Sequence, residues 1–225
     1  MKNKKQEWLS VNGSRILVDD VHRFGTDALQ LFRFAQVRPR EGVCDFGSGS
    51  GIFTVLLRSS GHTGPIFAVE LQPQAAALFK RTVEANRFEH VRPVCCDLRD
   101  KDVLRREIGN NCLDLVICNP PFYRQGCGGE SPILSRQVCR SDAGASIDEV
   151  TLAARRLLKH GGRFCVCFKP ERLCDCIAAM RHSGLEPKRL QMVHQTTQRP
   201  PWLCLLEGRK GAAPFLQVLP PYIMK

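Results

Sequence analysis

The apolar positions of this chain come in short blocks whose period alternates between strand-like and helix-like. Gly42–Gly47 predicts a strand and Ile52–Ser60 a helix; Ile66–Glu70 and Gln72–Asn86 repeat that pair. Val91–Asp97 predicts a third strand, Asp102–Ile108 a short helix and Leu113–Cys118 a fourth, apolar strand. Ile147–Lys159 then predicts a helix closed by Gly161-Gly162, followed by a strand at Arg163–Lys169 and a helix at Glu171–Ser183. Five βα units in series imply a parallel sheet with helices on both faces. Two last runs, Arg189–His194 and Trp202–Glu207, have only Gln195–Pro201 between them. That gap is too short for a crossover helix, so the runs are expected to pair as an antiparallel hairpin.

Ahead of this series, Trp8–Val18 carries an Asn12-Gly13 pair flanked by apolar residues, a strong hairpin signal. Residues 1–27 are therefore expected to form an N-terminal hairpin or arm, with the main domain over 28–225. Ala28, Leu29, Leu31, Phe32 and Ala35 fall at helical spacing after Phe24-Gly25-Thr26-Asp27. Thr26 or Asp27 would cap that helix, a role that fits them as well as contact with a ligand. Residues 123–146 have no clear period and are rich in Gly, Ser and Arg. A loop that long in a compact domain is usually functional, and this one is expected to form a wall or lid over a site.

Composition narrows the setting. A chain of 225 residues suits one α/β domain. No apolar run is long enough for a membrane span and the polar N-terminus lacks the apolar segment of a secretory signal, so a cytoplasmic location with no membrane partner is expected. Six of the 12 cysteines (Cys44, Cys95, Cys96, Cys118, Cys165 and Cys167) fall in predicted strands, where cysteine serves as a small buried hydrophobe. There is no C-x-x-C pair, and Cys165/Cys167 and Cys174/Cys176 lack a second pair or His cluster at zinc spacing, so no metal is expected. The net charge of +11, from 33 Lys and Arg against 22 Asp and Glu, favours a polyanionic partner. Monomer and dimer both stay open.

The chemistry concentrates after the fourth strand, at Asn119-Pro120-Pro121-Phe122. Two prolines cannot continue a sheet ladder, so the strand must stop and present its carboxyl end, the edge where open α/β sheets bind ligands. An Asn amide oxygen and a proline-backed carbonyl can each accept a hydrogen from a planar amino group, and Phe122 can stack on the ring that bears it. At the first strand, Asp45–Gly51 carries glycines at 47, 49 and 51, which permit a tight turn and close backbone approach. Acidic residues end successive strands at Asp45, Glu70 and Asp97. Glu70 stands about where a nucleoside-binding unit keeps its ribose-binding carboxylate, and Asp97 could accept from an adenine amino group. Leu71 and Leu98 adjoin these acids and complete the candidate set.

Together these residues resemble the S-adenosylmethionine-dependent amino-methyltransferases. The resemblance runs from about Gly42 to Glu207. It implies a class I, Rossmann-like α/β fold whose mostly parallel seven-stranded sheet ends in an antiparallel hairpin. More narrowly, Phe24–Leu29, Ala68–Pro73, Cys96–Asp100, Lys169–Leu173 and Pro200–Lys210 resemble the bacterial tRNA adenine-N6-methyltransferases acting at adenine 37, beside the anticodon of a valine tRNA. The resemblance implies that Asp45 to Gly51 hold the methionine moiety, Glu70 the ribose and Asp97 the adenine of the cofactor. Asn119 and Pro120 would hold the target amine beside the cofactor, and Phe122, where relatives can carry Tyr, would stack on the base. Thr26 and Asp27 match the narrower family without a fixed role. Direct transfer from sulfonium to nitrogen would leave S-adenosylhomocysteine, with tRNA as partner and neither metal nor covalent intermediate. A protein glutamine side chain, or an adenine of rRNA or DNA, is the alternative acceptor.

Overall fold

Asn12 and Gly13 both take positive φ, 48° and 83°, as a two-residue hairpin turn of type I′ requires. They join β1 (Gln6–Val11) to β2 (Ser14–Asp19) in an antiparallel pair. The computed structural model describes residues 6–120 and 144–224. The hairpin is docked rather than free: Ile16 and Val18 are fully buried, and the Leu17 amide donates to Thr82 Oγ1 at 3.0 Å.

The chain then continues through α1 (Thr26–Ala35), β3 (Val43–Phe46), α2 (Ile52–Ser59), β4 (Ile66–Glu70) and α3 (Pro73–Asn86). There follow β5 (Val91–Cys95), α4 (Lys101–Glu107), β6 (Leu113–Cys118), α5 (Ile147–Leu157) and β7 (Leu158–Phe168). A single 3₁₀ turn at Pro170–Arg172 leads into α6 (Leu173–Ser183), and β8 (Leu185–His194) and β9 (Leu203–Lys210) form the closing hairpin. Two short strands, β10 (Gln217–Val218) and β11 (Tyr222–Ile223), run parallel to β8 at the sheet edge. The order across the sheet is β10-β8-β9-β7-β6-β3-β4-β5, with β11 beside β8. The expected seven strands, β3 to β9, thus form the body of a nine-stranded sheet.

β3 is buried along its whole length because it pairs with β4 on one side and β6 on the other, with helices above and below. Its neighbours reverse the chain order, and this switch point opens a crevice at the carboxyl ends of β3, β4 and β6. Far from that crevice, Arg163 ties the amino ends of the strands. Its guanidinium donates to Glu41 Oε2 at 2.7 Å and to the Ala35 carbonyl at 2.6 Å.

Several local expectations need correction. α1 has Gly25 at its N-cap with no side-chain cap, so neither Thr26 nor Asp27 caps it; Asp27 Oδ1 instead accepts the Ala28 amide at 2.9 Å. α5 ends at Leu157, and Gly161-Gly162 lies inside β7 rather than closing the helix. The register of β6 against β7 slips there, and a Cβ on Gly162 would stand 2.9 Å from the Lys159 carbonyl, so a bulge needs the glycine. β5 stops at Cys95, two residues before Asp97. Cys95 is exposed on the edge strand β5 and Cys96, just past its end, is half-buried; Cys44, Cys118, Cys165 and Cys167 are buried as expected.

Candidate functional site

The turn between β3 and α2 is built from glycines because the backbone demands it: Gly47, Gly49 and Gly51 have φ of 70°, 54° and 92°. The Gly47 and Ser48 amides donate to the Val69 carbonyl at 2.9 and 3.1 Å, folding the loop against the end of β4. Glu70 completes the attachment. Its Oε2 accepts the Gly49 amide at 2.8 Å and its Oε1 accepts the Gln72 amide at 2.8 Å. The buried carboxylate therefore organises two loops at once, and each oxygen keeps a further lone pair.

These loops line a cavity of about 710 Å³, within the usual range of small-molecule sites. Of the sequence-derived candidates, Asp27, Gly47, Gly49, Glu70, Leu71, Asp97, Leu98, Asn119 and Pro120 line it together. Thr26, Asp45 and Gly51 do not. Gly51 serves packing: a Cβ there would fall 1.9 Å from the Phe79 ring. Pro121 and Phe122 lie outside the described residues, as do residues 123–143 of the expected loop.

Asp45 lies beneath the loop, almost wholly buried, and its Oδ2 has no hydrogen-bond partner. Burial, reinforced by the neighbouring Glu70 charge, pushes its carboxyl up to about 8. Asp97 behaves in the opposite way at the cavity rim. Arg99 donates to both of its oxygens, Nε to Oδ1 at 2.9 Å and Nη2 to Oδ2 at 2.6 Å, and holds the carboxyl below its usual range. Among the described residues, no cluster of three metal-binding side chains occurs and no helix is long and apolar enough to cross a membrane.

At the end of β6, Asn119 and Pro120 reach the same cavity, opposite the Glu70 side. Asn119 Oδ1 accepts from the Cys167 thiol of β7 at 2.9 Å. A side-chain amide and a backbone carbonyl, where both point at one amine, can bind and orient it with its nitrogen lone pair free along one line.

Sequence patterns missed a second set of wall residues. The segment 20–25 after β2 closes the cavity, with His22 buried between Asp19 and Gln72. His22 Nδ1 is 2.9 Å from Asp19 Oδ1 and Nε2 is 3.3 Å from Gln72 Oε1. Burial opposes ionisation of Asp19, but the His22 and Val21 amides and the His22 ring outweigh it and hold that carboxyl low. A Cβ on Gly25 would meet only the Asp27 carboxylate, with Oδ1 at 2.6 Å, so a side chain there would displace Asp27 from its place in the wall. The signal available in sequence was Phe24–Asp27 itself, the run that leads into α1.

Comparison with known proteins places this geometry. A protein of Flavobacteriaceae bacterium named tRNA1(Val) (adenine(37)-N6)-methyltransferase is 25% identical over 186 residues, covering 76% of each chain. A protein of the same name from Porphyromonas gingivalis is 26% identical over 192 residues, or 83% of this chain and 74% of its own. Among solved structures, a predicted O-methyltransferase from Agrobacterium tumefaciens superposes with a TM-score of 0.70 at 18% identity, over 88% of this chain and 87% of its own. The M. jannaschii tRNA m1G37 methyltransferase gives 0.62 at 16% identity, over 94% of this chain and 59% of its own. Those likenesses establish the class I methyltransferase fold. The family described as Methyltransferase small domain matches residues 18–175, well over half of the sequence, and the chain belongs to that family.

Proposed function

We propose that this protein transfers a methyl group from S-adenosylmethionine to the N6 amine of an adenine in tRNA, at position 37 of a valine tRNA. The observation that carries the reading is the convergence of Asn119 and Pro120 with the Gly47–Gly49 loop and Glu70 on one cavity. The names of the relatives support the choice of acceptor.

The residues present fit that cofactor. The glycine turn lets a ligand approach the backbone closely, and the acidic Glu70 suits ribose hydroxyls on the lone pairs left by Gly49 and Gln72. Asp97 and Leu98 at the rim offer an acceptor and an apolar surface for a base. Asp45, buried below the loop with its carboxyl pushed up to about 8, would stand under the methionine moiety mainly as a neutral polar group near pH 7. S-adenosylmethionine, when bound, supplies an electrophilic methyl group on a sulfonium.

An adenine amine is a poor nucleophile because its lone pair is delocalised into the ring. The Asn119 oxygen and the Pro120 carbonyl would accept its two hydrogens and favour rehybridisation as positive charge develops on nitrogen. An adenine in a structured loop must be splayed out to reach such a pocket. The net charge of +11 suits the RNA backbone.

The test is nucleoside mass analysis of tRNA from cells with and without the gene, repeated with purified protein on unmodified valine tRNA. The reading expects N6-methyladenosine at position 37 only when the protein is present. Methylation of a protein glutamine, with tRNA untouched, would overturn it.

A further inference from the structure

Asn119 has a neighbour that the chemistry above does not use. β7 runs parallel to β6 with Cys118 opposite Val166, which sets Cys167 beside Asn119. Its sulfur lies 2.9 Å from Asn119 Oδ1, and Cys167 is fully buried and does not line the cavity. The two ends of a carboxamide are nearly the same size, so packing alone does not decide which end faces the acceptor amine. A donor fixed on one side does decide it. A thiol also donates weakly, so it orients the oxygen while leaving a second lone pair strong enough to accept from an amine.

We propose that Cys167 is a positioning residue that holds the Asn119 carboxamide with its oxygen, rather than its nitrogen, available to the amine to be methylated. The proposal rests on the methyl-transfer reading for its kinetic consequence, but the contact itself is testable without it. The thiol stays protonated and able to donate, since burial holds its ionisation well above the ordinary thiol range.

The experiment compares the parent protein with Cys167→Ala, Cys167→Val and Cys167→Ser. Val fills the site without a donor, and Ser restores one. The Asn119 side-chain amide resonances, assigned by their loss in Asn119→Ala, report the contact in ligand-free protein. Single-turnover methylation of unmodified valine tRNA reports its use. The proposal expects shifted amide resonances and a rate lowered roughly 3–10-fold in the Ala and Val variants, the worth of one neutral hydrogen bond. Cofactor affinity should stay at the parent value, and Ser should restore both signals. Folded Ala and Val variants with unshifted resonances and the parent rate would overturn the proposal. Absence of methylation by the parent would instead count against the proposed function, and the resonances would still decide whether Cys167 orients Asn119.

Discussion

Glu70 Oε2 accepts the Gly49 amide at 2.8 Å, so the acid at the end of β4 fixes the conformation of the loop after β3. One carboxylate thus shapes the loop and faces the cavity. Glu70→Ala should remove both functions and weaken S-adenosylmethionine binding by roughly 10–100-fold, the cost of losing a charged hydrogen-bond partner. RNA affinity should change little. Calorimetric titration of each ligand checks this, and unchanged cofactor affinity in a folded variant would refute the assignment.

Gly51 should be intolerant of any side chain. Its φ of 92° and the Phe79 ring 1.9 Å from a built Cβ both act against Gly51→Ala. Forcing atoms into a packed site costs about 1–3 kcal/mol, with backbone strain in addition. Urea unfolding should show that loss, whereas Gly13→Ala, with open space around it, should show only the strain of its φ.

Asp45 should tie stability to pH. Its folded carboxyl titrates near 8, above the ordinary value of 3.8 for aspartate. The sign is therefore that of a raised group: its favourable contribution is complete below about pH 4 and is lost as pH rises through about 8. Unliganded protein should lose stability across that window, and Asp45→Asn should flatten the slope. An identical pH profile in the variant would contradict the burial argument.

RNA binding should weaken steeply with salt if the net charge of +11 engages phosphates. A plot of log affinity against log salt should have a clearly negative slope, while cofactor affinity should vary little. A flat RNA profile would remove the electrostatic argument.

The sequence made the layered fold legible wherever apolar runs were bounded by turn residues. Leu113–Cys118 is such a case, and its predicted bounds match β6. Ile147–Leu157 has a capping box as well, with Ser146 Oγ accepting the Glu149 amide and Glu149 Oε2 accepting the Ser146 amide. Gly161-Gly162 misled because a glycine pair after a helix signals a C-cap, whereas here it relieves a bulge between two strands. The edge strands β10 and β11 have two residues each, too short to show any period.

Within the site, Glu70 and Asn119 stood out because each ends a predicted strand, and the topology of a parallel sheet brings such ends to one edge. His22 gave no such signal. Its partners Asp19 and Gln72 meet only when the hairpin packs on α3, across 50 residues of chain in the case of Gln72. Asp45 shows the reverse limit: position at a strand end did not tell that its side chain would be buried under the loop rather than open to the cavity.

The central claim is that Asn119 acts on the amine as it gains charge. Single-turnover methylation of unmodified valine tRNA by Asn119→Ala, at saturating RNA and cofactor, isolates that step from binding. The rate should fall by about 10²–10³-fold, as when one positioned oxyanion-hole donor is removed, with both affinities near the parent values. An Asn119→Ala protein that binds both ligands and transfers at the parent rate would contradict the account.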